Sequence, residues 1–197
     1  MLNSFLLLAV VAPVLAMLFR PRTAAASAWG FFAVKWLLFG CMPITFGLPT
    51  TCACANWSLY GEGATRKQKL MRMVLGLVLP VVCILLFISH PVGSKAFVYS
   101  LYWLIPIGSY LIYFFVRSSL LIALSSTFIA HAVGSVMWLY LVPTLPEKWL
   151  ALMPVVAFER LAIVAGSVVL ILLFPRLFSI LKNKRFSLNV VFSRASL

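Results

Sequence analysis

Six apolar runs of 18 to 25 residues follow one another along this chain: Leu2–Phe19, Ala28–Phe46, Leu70–Ser89, Ala96–Val116, Leu120–Val142 and Leu150–Phe174. A helix crosses the hydrocarbon core of a bilayer with about 20 mostly apolar residues, each adding about 1.5 Å. The runs are continuous rather than alternating in segments of about ten residues, which favours helices over a membrane barrel. Composition agrees: 64% of the 197 residues are apolar and only 10% charged, whereas a soluble domain carries roughly a quarter charged residues. The expected fold is all-α, a polytopic six-transmembrane-helix bundle. Residues 1–175 form the membrane domain, and residues 176–197 form a basic cytoplasmic tail. Pro13, Pro80 and Pro106 fall inside runs and predict kinks that neighbouring helices can tolerate.

The first run is followed by Ala26-Ser27-Ala28, which imitates a signal-cleavage site. Arg20 and Arg22 follow the run and no positive charge precedes it, the reverse of a signal peptide, so it reads as a retained span. Orientation comes from the basic residues between runs. One side receives Arg66, Lys67, Lys69, Arg117, Arg176, Lys182, Lys184, Arg185 and Arg194; the other receives Arg20, Arg22, Lys95 and Lys148. The excess places both termini in the cytoplasm, as expected of a multi-pass protein of the inner or plasma membrane. The net charge of +13 is accounted for by this bias, and no separate basic domain suggests nucleic acid. The tail reads equally as a segment lying on the inner leaflet, where each basic residue contributes about 1 kcal/mol, or as a solvated stop-transfer sequence.

A charge at the bilayer centre costs at least about 2.5–3.5 kcal/mol, so intramembrane ionisable residues are functional candidates. Lys35, His131, Glu159 and Arg160 meet this criterion. The fifth and sixth runs form a hairpin through the turn Pro143–Lys148. From the helical rise, His131 and Glu159 then lie about 15 Å below the outer surface, with Lys35 at about 10 Å. Thr127, His131 and Ser135 recur every four residues and share a helix face, with Gly134 beside them. Such residues serve as interhelical glue or line a polar site. Their convergence with Glu159 and Lys35 favours a site in the outward half of the membrane. Glu159 and Arg160 are consecutive, about 100° apart on a helix, and are expected to point to different places. Trp103 and Trp138 are the candidate stacking surfaces, while Tyr99 and Tyr140 read as members of an interfacial aromatic belt. The positive surplus suggests a ligand with an anionic group.

The three acids are Glu62, Glu147 and Glu159, and there is no Asp, which excludes chemistry built on paired aspartates. No zinc-protease or phosphate-loop motif occurs, and Gly134-Ser135 lacks the flanking pattern of an intramembrane serine protease. Cys52 and Cys54 fall in the second loop, expected to be cytoplasmic, where thiols stay reduced. Their spacing is not Cys-x-x-Cys, and with only His90 and His131 to join them a metal centre is not expected. Residues 46–58 are rich in small residues and too short to span, suggesting a re-entrant or interfacial helix capped near Thr50 or Thr51.

Six helices, about 200 residues, termini inside and a site in the outward half resemble the substrate-binding membrane subunit of an energy-coupling factor vitamin transporter. Such subunits carry an Ala-x-x-x-Ala pattern on the first helix, matched here by Ala12-Pro13-Val14-Leu15-Ala16 with Ala9 a turn earlier. The resemblance implies capture of a vitamin or nucleobase precursor from outside and docking through Ala9, Ala12 and Ala16 on a scaffold that works with two ATPases. Lys35, Trp103, Thr127, His131, Ser135, Trp138, Glu159 and Arg160 are then the candidate substrate-binding residues, with no cofactor. The alternatives are a membrane-embedded enzyme, using thiol redox at Cys52 and Cys54 or modifying lipids through His131 and Glu159, and a non-catalytic assembly protein.

Overall fold

The structure is a computed structural model that describes residues 29, 30, 33, 37, 44–60 and 65–194, with only the backbone described for 44–46 and 174–194. The first two expected spans lie wholly or mostly outside the described residues, and Ala9, Ala12, Ala16 and Lys35 lie entirely outside them. The described residues form helices and their connections, without strands. They are α1 (Ile44–Ser58), α2 (Arg66–Ser89), the short α3 (Pro91–Lys95), α4 (Phe97–Tyr113), α5 (Ser119–Leu141) and α6 (Pro146–Arg194).

Among the described residues, three stretches are long and apolar enough to cross a membrane: α2, α5 and Pro146–Leu173 of α6. They correspond to the third, fifth and sixth runs, and they make this an α-helical membrane protein. The fourth run gives a shorter helix than expected, because α4 begins at Phe97 and ends at Tyr113. Its first part, Phe97–Trp103, is a 3-10 helix, and Leu104–Tyr113 is α-helical. The proline expected to kink this run, Pro106, stands in the first turn of the α-helical part, where its missing N–H and fixed φ are tolerated.

Helix starts follow local chemistry. Thr65 and Gln68 form a reciprocal capping box at α2, Thr65 Oγ1 accepting from Gln68 N at 3.3 Å and Gln68 Oε1 accepting from Thr65 N at 2.8 Å. Ser118 caps α5 by accepting from Leu120 N, and His90 Nδ1 does the same for α3 from Val92 N, with Pro91 at the first helical position. Within α2, Pro80 is preceded by a π-turn at Val74–Val78. A proline ring clashes with the carbonyl four residues earlier in a regular α-helix, and the wider turn accommodates it.

The hub is α5. Of its most apolar window 61% is buried within the protein, against 28% for α2 and 22% for α6. It packs on α1, α2, α4 and α6. The α1 contact corrects two expectations. Residues 46–58 are not a helix capped at Thr50 or Thr51, because the helix is already formed at Ile44 and both threonines lie inside it. Thr51 Oγ1 donates to Gly47 O at 2.8 Å and accepts from Trp29 Nε1 at 2.7 Å, so its hydroxyl serves the helix wall rather than its start. Cys52 and Cys54 accordingly stand on a packed helix and not in a loop.

Two glycines set close approaches. A Cβ on Gly93 would lie 1.9 Å from Phe87 O, so the α2–α3 turn admits only hydrogen there. A Cβ on Gly76 would meet the Tyr110 ring at 2.9 Å, which brings α2 against α4.

Candidate functional site

The polar run of α5 is buried along its length and divides between two neighbours. Ser125 and Ser126 face α1, where Asn56 Nδ2 donates to Ser126 Oγ at 2.8 Å and to Ser125 Oγ at 3.3 Å. Asn56 is fully buried. Further along, His131 and Ser135 face α4. Ser135 Oγ lies 3.4 Å from His131 Nδ1 and 3.4 Å from Tyr99 OH, giving a relay of three polar groups across two helices. Whichever direction its protons run, Nε2 is the free end, buried and without a partner among the described residues.

Aromatic rings surround this imidazole. Tyr99, Phe128, Tyr102 and Trp103 have ring centroids 5.5, 6.1, 6.4 and 6.4 Å from it. Behind them Phe87 meets Tyr99, Trp103 and Trp149 at 5.7, 5.2 and 5.2 Å. The group therefore draws on α2, α4, α5 and α6. Tyr102 OH donates to Met153 O at 3.0 Å, tying α4 to α6, and Trp149 Nε1 donates to Thr144 Oγ1. Trp103 is fully buried, and its indole N–H has no acceptor among the described residues.

The third component is on α6. Arg160 Nη2 lies 3.4 Å from Glu159 Oε2, with the side chains 13% and 18% exposed. The expectation that these consecutive residues point apart is corrected: both side chains are long enough to bend back and meet, and an apolar setting leaves them few other partners. Arg160 lies within electrostatic range of both His131 and Tyr99, and its Nε is buried and unpartnered among the described residues.

Of the predicted residues, His131, Ser135, Trp103, Glu159 and Arg160 gather here. Thr127 is buried on the same helix, one turn from His131. Trp138 does not join them. It is 43% exposed near the end of α5, because the inward face of the helix passes through Ser135 and Leu139 instead. Tyr140 is peripheral as expected, 52% exposed and donating to Leu86 O. Tyr99 is not a belt residue; it is buried at 2% exposure and forms the α4 end of the relay. Sequence reasoning does not single out Asn56 or Trp149. An asparagine amid small apolar residues is the available signal for the first, whereas Trp149 reads only as the outer boundary of a span.

The thiols of Cys54 and Cys83 are buried, Cys52 is half-buried, and all three are free. Among the described residues no three His, Cys, Asp or Glu side chains come together as metal ligands would.

Fold and site thus define a helical membrane protein with a buried aromatic and polar cluster centred on one imidazole. Comparison with protein-family models, with curated proteins and with solved structures gives no match for this chain.

Proposed function

We propose that the protein binds a small molecule of vitamin or nucleobase-precursor type and serves its uptake, as the substrate-binding subunit of a transporter resembling the energy-coupling factor class. The observation that carries this reading is His131 Nε2, without a partner among the described residues and held at the end of the Tyr99–Ser135 relay inside a wall of aromatic rings. A buried polar atom without a partner costs about 1–3 kcal/mol. A fold that only needed packing would gain by an apolar residue there. A ligand that supplies the missing partner explains why the imidazole is kept.

In this reading the chain crosses the cell membrane six times, with both termini in the cytoplasm, residues 1–175 as the membrane domain and 176–197 as a basic tail. The 3-10 start of α4 supports a crossing by that helix. Seven residues rising about 2.0 Å each and ten rising about 1.5 Å reach roughly 29 Å, close to the thickness of a hydrocarbon core. Ala9, Ala12 and Ala16 would dock on a scaffold subunit, and Lys35 would join the site from the second span. The enzyme alternative through Cys52 and Cys54 draws less support, since Cys54 is buried at 1% exposure and thiol exchange depends on access.

The test is thermal unfolding of the detergent-purified protein with vitamins, purines, deazapurines and their acids. A ligand at a hundred times its dissociation constant adds about 2.7 kcal/mol. A stabilisation lost in both His131→Ala and Glu159→Ala supports the proposal; silence across the whole panel sinks it.

A further inference from the structure

The hydrogen-bonding balance of the cluster says what kind of group a ligand brings. Its buried atoms without a partner among the described residues are Trp103 Nε1, Arg160 Nε and His131 Nε2, contributed by α4, α6 and α5. The indole and guanidinium nitrogens can only donate, and the imidazole can do either. The hydroxyls are engaged: Tyr99 OH and Ser135 Oγ in the relay, and Tyr102 OH on Met153 O. Apart from His131 Nε2, which can take either role, the one unpartnered buried acceptor among the described residues is Asn56 Oδ1, which belongs to the separate α1–α5 contact. The His131 site therefore has an excess of donors.

Charge narrows the choice. The basic surplus of the chain suggests an anionic ligand, but Arg160 is already matched by Glu159 at 3.4 Å. Glu147 is exposed at the start of α6 and takes no part. A carboxylate added beside a matched buried pair introduces an uncompensated charge, whereas a carbonyl oxygen accepts the same hydrogen bonds without one. The surrounding rings of Tyr99, Tyr102, Trp103 and Phe128 favour a flat apolar body. Glu159 and Arg160, with side chains 18% and 13% exposed, mark the side from which such a body reaches the site.

Resting on the binding role proposed above, we infer that the ligand is an uncharged planar ring whose polar rim consists of carbonyl acceptors, held by the N–H groups of Trp103 and Arg160 with His131 Nε2 beside them. This departs from the anionic group that net charge alone suggests.

Three probes of one size isolate the terms, used with the protein in lipid nanodiscs and read by thermal unfolding and tryptophan fluorescence. N-methyl-1,8-naphthalimide carries carbonyl acceptors and no charge, 1-naphthoate carries a negative charge, and acenaphthene carries neither. The expected result is binding of the imide at least tenfold tighter than either of the others. That preference is expected to fall in the double variant Glu159→Gln/Arg160→Met, which removes one of the two donors without stranding a charge. The ligand series in the unmodified protein remains decisive even where that variant fails to fold. Equal or tighter binding of 1-naphthoate overturns the charge argument, and equal binding of acenaphthene overturns the donor argument; either leaves the binding role standing. A hit from the vitamin panel that lacks a carbonyl rim overturns this inference alone. Silence from the three probes and the panel together overturns both.

Discussion

Ser135 stands one helical turn beyond His131 on α5 and places its Oγ 3.4 Å from the imidazole Nδ1 and 3.4 Å from Tyr99 OH on α4. One hydroxyl thereby fixes the ring orientation and joins two helices. Ser135→Ala leaves a buried imidazole nitrogen and a phenol unpaired, at about 1–3 kcal/mol. The expected result is a lowered unfolding temperature in detergent, with Ser135→Thr retaining most of the stability. Alanine unfolding like the parent protein would show that the relay contributes nothing.

The α1–α5 contact rests on a different polar pair, Asn56 with Ser126 at 2.8 Å. Interhelical hydrogen bonds in membrane proteins average about 0.6 kcal/mol by double-mutant cycle, with a maximum near 1.7. Asn56→Ala, Ser126→Ala and the double variant are expected to show coupling in that range. Strict additivity would mean that the two side chains do not interact.

How much of this can be read from the chain varies with the distance between partners. The His131–Ser135 contact follows from a spacing of four residues, and the neighbourhood of His131 and Arg160 follows from helical rise on either side of a short turn. Both are local geometry. Asn56 lies about seventy residues from its partners, in a segment with no marked apolar periodicity, so nothing nearby announces the pairing. The inward turn of Tyr99 is hidden from a reading that assigns aromatic residues at the ends of apolar runs to the membrane interface. A 3-10 helix eclipses residues three apart: Val98 and Leu101 share the exposed face, while Ser100 and Trp103 are buried with Tyr99 beside them. An aromatic residue near the end of an apolar run suits a membrane interface and a buried cluster alike, and the packing of Tyr99 on Phe87, Trp103 and Trp149 decides for the cluster.

Glycine positions offer a test with an internal control. Gly93→Ala places a methyl group 1.9 Å from Phe87 O, where the neighbour is backbone and must move. Overpacking of this kind costs typically about 1–3 kcal/mol. At Gly108, inside α4, an added Cβ would meet nothing among the described residues within 4 Å, and alanine there gains about 0.8–1.0 kcal/mol of helix propensity. Denaturation in one detergent should move the two variants in opposite directions. Movement in the same direction would refute the close approach at the α2–α3 turn.

The ion pair on α6 is the last relationship with a measurable sign. Removing one partner of a buried pair strands the other, at about 3–5 kcal/mol, whereas replacing both with apolar residues is often neutral. Glu159 and Arg160 retain 18% and 13% exposure, so the lower part of that range is expected. Glu159→Leu should lower the unfolding temperature more than the double variant Glu159→Leu/Arg160→Leu. Arg160 also lies within electrostatic range of His131 and Tyr99, so stranding it disturbs the cluster as well as α6. A double variant less stable than the Glu159 single variant would mean that Arg160 packs against the helices in its own right, independently of the carboxylate.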